Sequence, residues 1–204
     1  MNRLLFWDVD TQVDFMLPGG KLYVPGAEKI ISHLRSLTAF AAQHSIPLVS
    51  TVDAHLETDA EFSQYPPHCL AGTPGQQKVE GTMLPRHFTV PNRKVELPGN
   101  LAGVPQIVVE KQATDVFTNP NMDELLAQVA CDREIVLYGV VTEICVQHAA
   151  RGLIERGRHV HLVTDAIREL DPAKAEETVR LVRGNGGMML ATKEIVAGIL
   201  QPTA

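Results

Sequence analysis

The sequence predicts an α/β fold with three layers, α/β/α, around a central parallel sheet of about six strands. Three observations predict it. Short apolar runs rich in β-branched residues recur along the chain. Longer stretches with the helical apolar period separate them. Most of the runs then end in a charged or polar residue, as parallel strands do when they deliver side chains to one rim. Alternating strands and helices imply a sheet covered on both faces, with right-handed crossovers.

The elements follow in order. Arg3 to Asp10 carries Leu4, Leu5, Phe6 and Trp7 and reads as a central strand that ends in acid. Ala27 to His44 has the helical positions Ile30, Ile31, Leu34, Leu37, Phe40 and Ala41. Pro47 to Val52 is a second strand, delivering Asp53 and His55. Residues 56–103 form a long irregular stretch rich in Pro and Gly, with a short extended piece near Phe88 to Val90. A loop of that length inside a compact domain is either functional or disordered, and its aromatics and Pro66-Pro-His-Cys69 favour function.

Gln106 to Glu110 is the third main strand, and Asn121 to Ala130 a helix capped by Asn119 or Asn121. Glu134 to Tyr138 is a buried strand broken by Gly139, and a helix runs from Glu143 to Arg156. His159 to Val163 is a strand, with Asp165 beyond it in a turn or cap role. Pro172 to Arg183 is a helix with Asp171 as its cap. Met188 to Ala191 and Lys193 to Leu200 are the last strand and helix. With no linker or repeat, residues 1–204 read as a single domain.

Hydrophobic residues make up 45% and charged residues 21%, ordinary for a globular protein. The 18 basic and 24 acidic residues give −6, without a basic cluster, which argues against nucleic acid and membrane surfaces as partners. The longest early apolar run, Leu4 to Trp7, is too short for a signal peptide or a span. Three cysteines without CxxC spacing fit a reducing, cytoplasmic setting. The sequence leaves a homo-oligomer open.

Asp10, Asp53, His55, Lys111 and Cys145 all fall at strand ends. Each has a bland alternative, a cap for Asp10, a solvated lysine for Lys111, a tight turn for Cys145. Together they suit acyl transfer. A cysteine in the first turn of a helix meets free N–H groups that lower its pKa and that could hold an oxyanion. A carboxylate takes and returns the proton, and a lysine beside them favours the charged forms. Asp53 and His55, two apart at a strand end, form a second group that could share a metal with Glu57, Asp59, Glu61 or His68 from the long loop. Such a donor set suits Zn²⁺, with Mn²⁺ and Fe²⁺ as alternatives. The remaining histidines read as surface or satisfied core residues.

Asp10-Thr-Gln-Val-Asp-Phe15 followed by Pro18-Gly-Gly20 resembles the opening of the nicotinamidases, within the isochorismatase-like cysteine hydrolases. Asp53-Ala-His55, Pro66-Pro-His-Cys69 with Gly72-Thr73, Lys111, and Gly139-Val-Val-Thr-Glu-Ile-Cys-Val146 resemble the later blocks in order, from about Leu4 to Asp165.

The resemblance implies an Asp10–Lys111–Cys145 triad, with the N–H groups of Val141 and Cys145 as oxyanion hole beside a cis Val140–Val141 peptide. It implies one divalent metal on Asp53, His55 and His68, with Glu61 as a further ligand where many relatives have a histidine. It places Phe15 and Tyr65 at the substrate ring, with Val140 and Ile144 as further substrate contacts. Tyr65 stands where a tryptophan is frequent, and Ile144 where an aromatic or histidine is common. The expected substrate is therefore nicotinamide, with pyrazinamide a second one. Another small amide or carbamoyl compound is the alternative, and a non-catalytic binding module a more distant one.

Overall fold

The structure is a computed structural model, and it describes residues 3–200. Strand β1 is Leu4–Val9, helix α1 Val13–Met16, α2 Ile31–Gln43, β2 Leu48–Asp53, β3 His87–Val90 and β4 Gln106–Lys111. There follow α3 Met122–Val129, β5 Glu134–Val140, α4 Cys145–Glu155, β6 Val160–Arg168, α5 Pro172–Gly184, β7 Met189–Leu190 and α6 Thr192–Val196. The seven strands form one sheet in the order β3-β4-β2-β1-β5-β6-β7, and every pairing is parallel. The extended piece near Phe88 is the additional edge strand, which makes the sheet seven rather than six.

Period-two alternation in β1 explains the layering. Leu5, Trp7 and Val9 enter a core shared with α3 and α4, whereas Leu4 and Phe6 enter one shared with α2. The chain starts in the middle of the sheet, builds outward through β2 and β4, and returns to lay β5 against the other side of β1. That reversal puts the carboxyl ends of β4, β2, β1 and β5 side by side at a topological switch point.

Several boundaries differ from the sequence expectation. Helix α4 begins at Cys145, because Ile144 has φ −119° and ψ −97°, outside helical space. Strand β6 runs on to Arg168, past a register shift in its pairing with β5. The last helix is short, Thr192–Val196, and ends before Gly198, which has positive φ. Asn121 occupies the N-cap of α3, but Asn119 accepts from its backbone N–H, while the Asn121 side chain serves the 91–93 turn. Asp171 caps α5 as expected, accepting from Ala173 and Lys174. Asp165 accepts from the backbone and hydroxyl of Thr192 at the start of α6. Among the described residues no helix is long and apolar enough to cross a membrane.

Candidate active site

Four neighbouring strand ends build the site. Asp10 follows β1 in a left-handed conformation, φ 51°, rare for a residue with a side chain. Its Oδ1 accepts from Thr51 Oγ1 at 2.6 Å. Lys111 ends β4 in register with Asp53, which ends β2. The Lys111 ammonium is buried. It donates to Asp53 Oδ1, stands 2.9 Å from Asp10 Oδ2 and reaches Cys145 Sγ at 3.7 Å. Asp10 Oδ2 is close enough for an ion pair with Lys111 but not aligned for a hydrogen bond, so it keeps a free lone pair.

The electrostatics depart from the sequence expectation. Burial pushes the Cys145 thiol well above its usual range, and Lys111 does not compensate. Burial likewise raises Asp10 against the pull of Lys111. The expected low thiol pKa assumed an open helix terminus, but this sulfur is nearly enclosed. Lys111 itself is raised well above the lysine range, because Asp10, Asp53 and Cys145 overcome its own burial. Burial thus favours the uncharged thiol and makes the neighbouring Asp10 carboxylate a stronger base, beside the fixed Lys111 ammonium.

Gly139 has φ +120°, and a Cβ there would meet Val9 O at 2.1 Å, so β5 packs against β1 where only glycine fits. Beyond it the Val140–Val141 peptide is cis. The N–H groups of Val141 and Cys145 donate no hydrogen bond among the described residues, which leaves both available to a ligand oxygen.

A second group adjoins the first. One oxygen or nitrogen from each of Asp53, His55, Glu61 and His68 lies within 4.8 Å of all the others. Asp53 Oδ2 is 3.7 Å from His55 Nε2 and 3.5 Å from His68 Nε2. Glu61 Oε1 is 3.9 and 3.8 Å from the same two nitrogens. Both Nε2 atoms are buried and have no hydrogen-bond partner. Each opposite nitrogen is occupied: His55 Nδ1 faces Asp59 Oδ2 at 3.0 Å, and His68 Nδ1 faces the Pro66 carbonyl at 2.8 Å. Those contacts place the ring protons on Nδ1 and turn the Nε2 lone pairs inward, as metal-ligating histidines require. Donors about 2.1 Å from a tetrahedral ion lie roughly 3.4 Å apart, close to the separations found. These residues therefore fit a divalent metal.

Burial opposes the Asp53 carboxylate, but Lys111, His55 and His68 outweigh it and hold its pKa below the usual range. Glu61 occupies the inner position and Asp59 the outer one, and Glu57 is exposed. Glu134, His159 and His161 are also spaced like ligands. There, however, Met188 N–H donates to His161 Nδ1, which leaves Nε2 protonated toward Glu134, so that nitrogen has no lone pair to offer.

Phe15 packs on the His68 ring at 5.2 Å, and Val140 is buried at the end of β5. Tyr65, Glu61 and Ile144 line a cleft of 390 Å³ together with Gln112, Thr114 and His148. Sequence reasoning gave no role to Gln12, which clamps Asp53 from both sides. Its Oε1 accepts from Asp53 N–H at 2.7 Å and its Nε2 donates to Asp53 O at 2.8 Å. Phe62, which packs tilted against His55 and edge-on against His68, likewise has no role in the sequence reading. Asp14 accepts from the Lys21 and Cys69 N–H groups and so fastens the loop that carries His68. Cys69, Cys131 and Cys145 are all free thiols.

The model of the isochorismatase domain family matches residues 4–194. The nicotinamidase/pyrazinamidase of Mycobacterium tuberculosis is 26% identical over 167 residues, covering 77% of this chain and 82% of that protein. The first curated relatives are matched over only 17% to 49% of their own length. The pyrazinamidase of Pyrococcus horikoshii, solved in complex with zinc, superposes with a TM-score of 0.73 at 24% identity, covering 93% of this chain and 99% of that one. The N-carbamoylsarcosine amidase of Thermoplasma acidophilum gives 0.73 at 23%, covering 94% and 98%. At these identities the two likenesses establish the shared fold.

Proposed function

The chain belongs to the isochorismatase domain family, and from that premise we propose that it is a cysteine-dependent amidohydrolase converting nicotinamide to nicotinate and ammonia. One observation carries the reading. A buried Asp10–Lys111–Cys145 group shares Asp53 with a cluster whose two histidines turn unpartnered Nε2 atoms inward. Nucleophile and metal-type donors thus adjoin through one shared carboxylate.

Cys145 Sγ attacks the carboxamide carbon while its proton passes to Asp10. The raised pKa of Asp10 makes it a stronger base for that transfer, while the raised thiol pKa opposes loss of the proton before attack, so the proton moves as the S–C bond forms. The Val141 and Cys145 N–H groups stabilise the oxyanion. Asp10 then delivers the proton to the departing nitrogen, ammonia leaves, and a thioester remains on Cys145. Water attacks the thioester with Asp10 as base, which releases the carboxylic acid and restores the thiol. Lys111 keeps Asp10 and Asp53 in place and neutralises their charge throughout. Asp53, His55, Glu61 and His68 would hold a divalent ion, zinc first, which supplies an electrophilic contact for the ring nitrogen and orients the ring. Phe15, Tyr65, Val140 and Ile144 shape the space around it.

The cleft of 390 Å³ beside Tyr65 and Ile144 supports a second reading, a bulkier small amide or carbamoyl compound. Ammonia release from a panel of nicotinamide, pyrazinamide, benzamide and N-carbamoyl amino acids separates the two. Strong preference for a carboxamide meta to a ring nitrogen supports nicotinamide; preference for the carbamoyl compounds replaces it with the second reading.

A further inference from the structure

A buried ion pair lies one turn of chain away from the site, and nothing in the proposed reaction uses it. Lys78 Nζ is 2.6 Å from Asp8 Oδ2, and both side chains are sealed from solvent. The same ammonium donates to Thr11 Oγ1 at 2.6 Å, and that hydroxyl donates back to Asp8 Oδ2 at 3.2 Å. Ser50 Oγ adds a longer contact to Asp8 at 3.4 Å. Asp8, Thr11 and Asp10 belong to one short corner, where the chain leaves β1 and Asp10 takes its left-handed conformation.

A non-glycine residue persists in that region only where its surroundings over-determine it. Thr51 holds Asp10 itself, through its hydroxyl at 2.6 Å and its carbonyl at 3.1 Å, and Lys78 reaches the preceding part of the corner from a second distant segment. Residues 77–79 pair antiparallel with residues 11–13: Val13 N–H donates to Gln77 O at 2.8 Å and Val79 N–H to Thr11 O at 2.9 Å. Beside this ladder Gln12 also donates to Gln76 O at 2.8 Å while it clamps Asp53.

We propose that Lys78 is a positioning residue which, through Asp8 and Thr11, holds the corner that aims Asp10 at Cys145. The inference rests on Asp10 as the proton acceptor of Cys145, and it is tested without any amide substrate. Thiolate formation at Cys145 is read from its alkylation by iodoacetamide at neutral pH, with Cys131, which is exposed, as internal reference.

Lys78→Met should slow alkylation of Cys145 by about tenfold or more, the scale of a small misplacement, without slowing Cys131. That variant also strands Asp8 and loses stability, so the decisive comparison is Asp8→Leu with Lys78→Met. Replacing both members of a buried pair by apolar groups commonly restores stability. The double variant should therefore recover the melting temperature and keep the slow Cys145. Thr11→Val, which leaves the ion pair and cuts its link to the corner, gives the same slowing and decides the matter if the double variant does not fold. Alkylation of Cys145 at the native rate in a folded double variant or in Thr11→Val would overturn the proposal. Failure to hydrolyse nicotinamide would leave this result standing, because the alkylation needs no amide.

Discussion

Lys111 and Asp53 join the two halves of the site: the lysine's ammonium donates to Asp53 Oδ1, while Asp53 Oδ2 faces the imidazoles of His55 and His68. One carboxylate thus belongs to both the Asp10–Lys111–Cys145 group and the metal-type cluster. Disturbing either half should be felt in the other.

Removal of the ammonium is the sharpest disturbance. Lys111→Met leaves Asp10 and Asp53 buried without a counter-charge. Loss of about 3–5 kcal/mol of stability is expected, measured by urea unfolding, together with loss of activity. A variant of native stability would mean that the two carboxylates are neutral or reach water.

The donor cluster predicts a graded effect on metal. His68→Ala should abolish tight zinc binding. Asp59→Ala, which removes only the partner of His55 Nδ1, should weaken zinc by about 10–100-fold in competition with a chromophoric chelator. Equal effects of the two substitutions would place Asp59 among the direct ligands.

The acid limb of kcat/KM follows from Asp10. A protonated Asp10 does not take the thiol proton, so activity falls as pH drops through its pKa. Burial raises that pKa, which places the limb above the 3.8 of a free aspartate. A limb at or below that value would assign the base elsewhere.

Gly139→Ala tests the junction of β1 and β5. The added carbon would meet Val9 O, and the residue would keep φ +120°. Destabilisation of about 3 kcal/mol or more is expected by thermal unfolding, with Cys145 displaced.

The layout was largely legible in the sequence because parallel strands and acidic strand ends leave local patterns. Asp10, Asp53, Lys111 and Cys145 could be placed at one rim by counting along the apolar runs. The short strand His87–Val90 was visible only as an extended piece, since it is an edge strand with His87 and Thr89 exposed. Long-range partners were not legible. Gln12 meets Asp53 across 41 positions, and Lys78 meets Asp8 across 70, and neither pairing leaves a local signature. The direction of the thiol pKa was misread for a related reason. A helix N-terminus is a sequence feature, whereas enclosure of Cys145 by the sheet depends on the whole fold.

The most direct test is ammonia release from nicotinamide by the native chain and by Cys145→Ala, each before and after chelation and zinc restoration. Release by the native chain should stop on chelation and return with zinc, and a folded Cys145→Ala variant should release none. Sustained release by Cys145→Ala would rule out Cys145 as the nucleophile.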